Sequence, residues 1–347
     1  MLLQILLIVQ LLLATAYADH QAYPGTSSRP VLSDAEAASY TKESYLQGWT
    51  PSKINTGANP DYVVGSGGYS TIQAAVNAAI NDGGTNRKYI KILPGTYAEG
   101  VLIPKTSVPI TILGSADDPE AVHIVLSQGA KLTGSQYANQ MNPNGAVYKD
   151  GDPAWSMFNY CAQKSEIDSK LYQFATIFAF KDTLLAGGTR VYFSKPTIKG
   201  DVDFIFGSAS AVFENAQIIG RGDRRDTDTV FAPNTDNSQK YGYLVLSTKI
   251  TADNNVKSKL GLHLARSWDS TSTANGQVVI RETELVDVFN VDAPYDTAAG
   301  GRAYAGNANT NRNLDDANYN RFWEYSILPK IFSLIKILRN LLKSCYC

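Results

Sequence analysis

The chain has 347 residues, of which 44% are apolar and 18% charged, and a formal net charge of −1. Length and apolar content allow one large domain or two ordinary ones with a sizeable core. The even charge balance excludes the basic excess of a nucleic-acid-binding surface, and the chain is not acidic enough to stay disordered.

Met1 to Leu13 is an almost unbroken run of Leu, Ile and Val, and Ala16-Tyr17-Ala18 follows with the small-x-small spacing of a signal-peptidase site. The run is short for a membrane span. Residues 1–18 are therefore expected to be a signal peptide and the protein to be secreted and extracellular. Residues 19–60, polar and rich in Ser, Pro, Ala and Gly, read as an N-terminal arm. Ser70-Thr71-Ile72-Gln73 fits a capping box. Ile72, Ala75, Val76, Ala79 and Ile80 share one helical face, which Asp82-Gly83-Gly84 terminates. This pattern predicts a short amphipathic helix covering one end of something larger.

From Tyr89 short apolar runs take over: Ile90–Leu93, Val101–Ile103, Ile110–Leu113 and His123–Leu126, then Val191–Phe193, Phe204–Phe206, Ala211–Phe213 and Gln217–Ile219. Pro, Gly or Asp separates them, as turns separate strands. No long helical pattern alternates with them, which leaves an antiparallel sandwich or barrel, or a parallel β-helix. Periodicity does not separate these two. Residues 327–347 are different: Ile, Leu and Phe alternate with Lys330, Lys336, Arg339 and Lys343 in a basic amphipathic helix pattern. Of the three cysteines, Cys161, Cys345 and Cys347, two lie in this tail, and no zinc-ligand spacing is present.

The chemistry points to carboxylates. His20, His123 and His263 are the only histidines, and there is neither a G-x-S-x-G elbow nor an H-E-x-x-H helix. Asp203 sits inside Val202-Asp203-Phe204-Ile205-Phe206, where an acid is costly unless paired. Regular alternation would put Asp201, Asp203 and Ile205 on one face and Val202, Phe204 and Phe206 on the other. Asp182 precedes Asp203 by 21 residues, so coils of that length would stack the two on adjacent rungs, about 4.8 Å apart. Such a pair separates into one acid and one ionised nucleophile, although both residues also fit exposed turns. Arg266, beside Trp268, is a candidate partner for Asp203, with Asp269 as the local alternative.

The segment Gly200-Asp201-Val202-Asp203-Phe204-Ile205-Phe206-Gly207, continuing through Ala211-Val212-Phe213-Glu214-Asn215, resembles the nucleophile segment of pectin methylesterases. Lys181-Asp182-Thr183-Leu184, Leu264-Ala265-Arg266-Ser267-Trp268, Tyr69–Ala75 and Leu93-Pro94-Gly95-Thr96-Tyr97 are similar to further segments of that family, in the family's order. The 130–160 segment looks like the bacterial and insect-gut branch. The resemblance implies an all-β, right-handed parallel β-helix over residues 61–326, with a short capping helix before it and an amphipathic helix after it. It also implies hydrolysis of galacturonate C6 methyl esters in pectin. Asp203 would be the nucleophile, Asp182 the general acid and base, and Arg266 the holder of Asp203; Phe206, Trp268 and Lys181 would meet substrate. No metal or organic cofactor is implied. A monomer is expected, without nucleic acid and without membrane contact by the tail.

The chain departs from the family pattern at three places. Lys181 replaces a Gln that helps bind the oxyanion. Only about 20 residues separate Cys161 from Asp182, and a second Gln and at least one coil are missing there. The basic tail after Tyr325 has no family counterpart. These departures suggest an internal deletion and a read-through tail, as in a splice variant or an imperfect gene model. Besides the esterase reading they leave open a non-catalytic pectin-binding solenoid and, more remotely, a pectin lyase or glycoside hydrolase.

Overall fold

The computed structural model describes residues 22–51, 55, 57–101, 103, 106–114, 118, 121–126, 170–173, 176–179, 183–221, 228–253, 261–285, 289–290 and 292–327. Lys181, Asp182, residues 1–18 with the expected signal peptide, Cys161 and all but the first residue of the 327–347 tail fall outside these.

Among the described residues two long sheets and one short sheet build the molecule. The first holds nine strands in the order β1 (Tyr62–Val64), β2 (Lys88–Ile92), β4 (Ile110–Leu113), β6 (Lys170–Gln173), β9 (Arg190–Ser194), β12 (Ser210–Glu214), β15 (Tyr243–Leu246), β18 (Gln277–Arg281) and β20 (Arg321–Tyr325). The second holds seven: β3 (Gly95–Ala98), β5 (Val122–Leu126), β7 (Thr176–Ala179), β10 (Thr197–Gly200), β13 (Gln217–Gly220), β16 (Lys249–Ala252) and β19 (Glu284–Leu285). The third holds β8 (Leu184–Leu185), β11 (Val202–Gly207), β14 (Asp228–Pro233) and β17 (Leu262–Ala265). Every pairing between these strands is parallel, and each strand's neighbours belong to the preceding and following coils. This is a parallel β-helix, and the sandwich and barrel readings fall away. The ladder is continuous from one end to the other: β6 pairs with both β4 and β9, and β7 with both β5 and β10.

Like residues stack because each coil repeats the register of the last. Ile198, Ile218 and Ile250 are level in the second sheet, and all three are fully buried. Phe193 and Phe213 stack in the first sheet, with ring centroids 4.8 Å apart and planes within 5°. Each such side chain contributes about 1.5–3 kcal/mol of burial. At the corner leaving the first sheet, Lys195, Asn215, Ser247, Glu282 and Ser326 each follow a strand and each have φ between 47° and 54°. Four of them donate their backbone N–H to the neighbouring rung, as in Lys195 N to Glu214 O (2.9 Å) and Asn215 N to Leu246 O (3.0 Å). The turn is therefore hydrogen-bonded rung to rung like a strand.

The first sheet is apolar on both faces. In β9, β12, β15, β18 and β20, Val191, Phe193, Ala211, Phe213, Tyr243, Val245, Val278, Ile280 and Phe322 face the interior cluster. Between them Tyr192, Val212, Leu244, Val279 and Trp323 form a second, outer cluster. The N-terminal segment covers this outer stripe. Two short helices, α1 (Asp34–Ala37) and α2 (Lys42–Leu46), bring Leu32, Ala37, Tyr40, Tyr45 and Leu46 onto it. Polar ties fix the segment: Arg29 forks onto Glu324 at 2.6 and 3.0 Å, Lys42 meets Glu214 at 2.7 Å, and Gln277 Nε2 donates to Tyr45 Oη at 2.7 Å.

Helix α3 (Ile72–Asp82) packs Ile72, Ala75, Val76 and Ala79 against Val64, Ile90 and Ile92 at one end of the solenoid. Its start corrects the capping-box expectation. Thr71, not Ser70, is the cap, with its side chain accepting from Ala74 N, and Gln73 bonds Asn77 instead of reaching back. The reciprocal acceptor comes from elsewhere: the Glu99 carboxylate takes Ile72 N–H at 2.8 Å and Gln73 N–H at 2.9 Å. Val101–Ile103 is also corrected, because Val101 and Ile103 lie outside any strand, with Ile103 buried under the same end.

Candidate active site

Three successive rungs of the third sheet, β11, β14 and β17, build the site. Val202 is level with Thr229, but Ile205 is level with Phe231, so Asp203 and Phe204 together oppose a single residue of β14. This extra residue makes a bulge. Asp203 absorbs it with φ of 52°, a left-handed conformation that Asp tolerates better than most residues. Gly200 makes the approach possible, since a Cβ there would lie 2.3 Å from the Phe204 side chain.

The bulge overturns the expected alternation. Phe204 and Ile205 both enter the interior cluster, so Ile205 does not share a face with Asp203. Phe206 is left outside that cluster, edge-on to Trp268 with centroids 5.5 Å apart. Asp201 is fully buried and Asp203 is 7% exposed.

Arg266 follows β17 directly, and its backbone N–H still bonds Phe231 O at 3.0 Å. Ala265, Phe231 and Ile205 are level, so Arg266 lies two rungs, or about 10 Å, from β11. Only a long side chain spans that gap. The guanidinium ends on Asp203 as a fork, Nε to Oδ1 at 2.7 Å and Nη2 to Oδ2 at 2.5 Å. The local alternative, Asp269, instead receives Arg302 at 2.9 and 3.2 Å. Arg302 is the residue that sequence reasoning missed; it sits in a Gly- and Ala-rich stretch with no periodic signal.

His123 and His263 are half-buried on strands of different sheets. Among the described residues, no group of three or more His, Cys, Asp or Glu is placed to hold a metal ion. What the geometry does offer is a fixed carboxylate, charge-compensated from one side by Arg266. Such a group can attack an electrophilic carbon or take up a proton.

Comparison with known proteins gives a consistent result. The family model described as Pectinesterase matches residues 62–293. A pectinesterase of Sitophilus oryzae is 40% identical, the alignment covering 92% of this chain and 98% of that protein. Pectinesterase B of Dickeya dadantii (strain 3937) is 32% identical over 88% of this chain and 90% of its own length. The solved structure of rice weevil pectin methyl esterase superposes with a TM-score of 0.73 and 38% identity, covering 89% of this chain and 99% of its own. The Sitophilus alignment runs over 379 positions, more than the 347 residues here, so that relative carries residues within the matched region that this chain lacks.

Proposed function

Because the chain belongs to the pectinesterase family of carboxylic ester hydrolases, we propose that it hydrolyses the C6 methyl esters of galacturonate in pectin, with Asp203 as nucleophile and Asp182 as general acid and base. The observation that carries this reading is the Arg266 fork on Asp203 at the β11 bulge.

In the first half-reaction an Asp203 oxygen attacks the ester carbonyl carbon, and the tetrahedral adduct expels methoxide, which leaves as methanol with the proton of Asp182. In the second, Asp182 takes a proton from water, the hydroxide adds to the acyl carbon, and the bond to Asp203 breaks. The products are free Asp203 and a galacturonate carboxyl group. Arg266 fixes the direction of Asp203 and compensates its charge. The role of Asp182 rests on the family resemblance of Lys181-Asp182-Thr183-Leu184, and Leu184 just after it pairs with Ile205 of the strand that carries Asp203. Lys181 is proposed to donate to the oxyanion, and Phe206 and Trp268 to line the sugar subsites. The leader at 1–18 fits a secreted enzyme acting on extracellular pectin.

The second reading, a pectin-binding solenoid without catalysis, is favoured by the alignment being longer than this chain and by Lys181 standing where the family has Gln. Methanol release from esterified pectin, measured for the natural chain and for Asp203→Ala, decides between them. Turnover abolished by the substitution supports the esterase reading, and equal turnover in both proteins overturns the covalent mechanism. Pectin binding without methanol from the natural chain establishes the non-catalytic reading.

A further inference from the structure

The Trp268 side chain projects from residues 266–270, which form no regular element. On one side Trp268 N bonds Pro233 O at 2.9 Å, and Asn234 and Ser270 exchange two bonds at 2.7 and 3.0 Å. On the other side the segment is closed by a clasp. Asp269 has φ of 53° and turns its carboxylate back, where it accepts from Ser267 Oγ and from Arg302 Nε (2.9 Å) and Nη2 (3.2 Å). Ser267, fully buried, accepts Gly276 N–H at 2.8 Å, and its carbonyl takes Ala299 N–H at 2.9 Å. Arg302 also reaches Asn275 Oδ1 at 3.3 Å. The 298–302 turn lies directly on Asp269, since a Cβ on Gly300 would stand 3.1 Å from Asp269 O.

We propose that Asp269 and Arg302 are positioning residues for substrate binding: their ion pair clamps the 298–302 turn onto the Trp268 segment and holds the indole edge-on to Phe206 as a rigid sugar-stacking wall. The inference rests on the reading of Trp268 as a sugar subsite. Neither residue need touch the polymer. A pre-set ring saves the ordering cost that a free one would incur on binding. Asp269 is the more enclosed partner, 11% exposed against 35% for Arg302, so the carboxylate anchors and the guanidinium closes.

The test is a cycle of four proteins: the natural chain, Arg302→Gln, Trp268→Ala and the double variant. Titration calorimetry with a fully de-esterified galacturonate hexamer, which carries no methyl ester to hydrolyse, reads binding whether or not the chain turns over. Arg302→Gln is expected to weaken binding roughly tenfold and Trp268→Ala at least as much, with the double variant no weaker than Trp268→Ala alone. Arg302→Lys is expected to recover part of the loss. Arg302→Gln is also expected to shift the tryptophan emission in the natural background and to leave it unmoved in the Trp268→Ala background, a readout that general loosening of the fold does not produce. If Trp268→Ala weakens binding while Arg302→Gln does not, or if the two losses add, the clasp is wrong and the subsite stands. If Trp268→Ala leaves binding unchanged, the subsite reading fails and the clasp falls with it.

Discussion

Arg266 holds both carboxylate oxygens of Asp203 across 63 residues of sequence, because the β14 rung places them two strands apart on one sheet. The pair exists only while one coil, no more and no fewer, separates β11 from β17. The acid's direction is thus set by coil count as much as by local sequence.

Replacing Arg266 with Leu leaves Asp203 enclosed without its counter-charge. Side-chain exposures of 20% and 10% place the pair between surface and core. The expected cost is about 3 kcal/mol, at the low end for a broken buried pair. Urea unfolding measures it. Asp203→Asn in addition, which keeps a residue suited to the left-handed backbone and removes the uncompensated charge, is expected to recover most of that stability and none of the methanol release, which separates folding from chemistry.

Glu99 caps helix α3 from a different coil by accepting Ile72 and Gln73 N–H. Glu99→Ala is expected to destabilise by about 1–2 kcal/mol through two orphaned donors and a lost favourable charge at the helix start. Glu99→Gln should cost less. Thermal unfolding compares the two, and equal melting of Glu99→Ala and the natural chain would remove the cap from the account.

Tyr45 joins the arm to the first sheet with no exposed surface. Tyr45→Ala is expected to cost about 3–5 kcal/mol, the range for deleting a large core aromatic. Tyr45→Phe, which strands only the Gln277 amide, should cost about 1–2 kcal/mol. Both are read from urea midpoints. Methanol release per folded molecule should be unchanged, since the arm covers the first sheet and Asp203 lies on the third.

Alkali should unfold the protein through its tyrosines. Burial pushes Tyr45, Tyr243 and Tyr295 well above the ordinary phenol value of 10, and burial with the Asp82 carboxylate pushes Tyr62 to about 12. A raised folded-state value means that the neutral phenol is favoured in the fold. That stability is complete below pH 10 and is lost as pH rises through the folded-state values. For Tyr62 the loss falls between pH 10 and about 12. Unfolding free energies followed with phenolate absorbance should decline steadily above pH 10, and Tyr62→Phe should decline less. A flat profile would contradict the burial argument.

Much of the strand inventory was legible because β2, β4, β5, β9, β11, β12 and β13 are short apolar runs between turn residues. Their partners were not, because a two-residue period reports which face is buried and not which strand lies alongside. Asp203, Arg266, Phe206 and Trp268 stood out through motif and unusual neighbours, and the structure brings the first two into contact and the last two against each other. The bulge was hidden, since an unbroken apolar run from Phe204 to Phe206 fits either register. The docking of the arm was hidden by its polar average composition, although Tyr40, Tyr45 and Leu46 carry its contacts. The overlooked signal was in the receiving strands, where Val191-Tyr192-Phe193 and Ala211-Val212-Phe213 have no polar residue to offer solvent.

The Arg29–Glu324 fork joins residues 295 apart. During synthesis the arm is made before the surface it must cover, and Trp323 is the last piece of that surface to be made. Each of Tyr192, Val212, Leu244 and Val279 is a greasy patch on a growing sheet until the arm reaches it, the kind of exposure that invites aggregation. The last of the arm's contacts is thus a late, long-range event, and yield on refolding should fall as protein concentration rises.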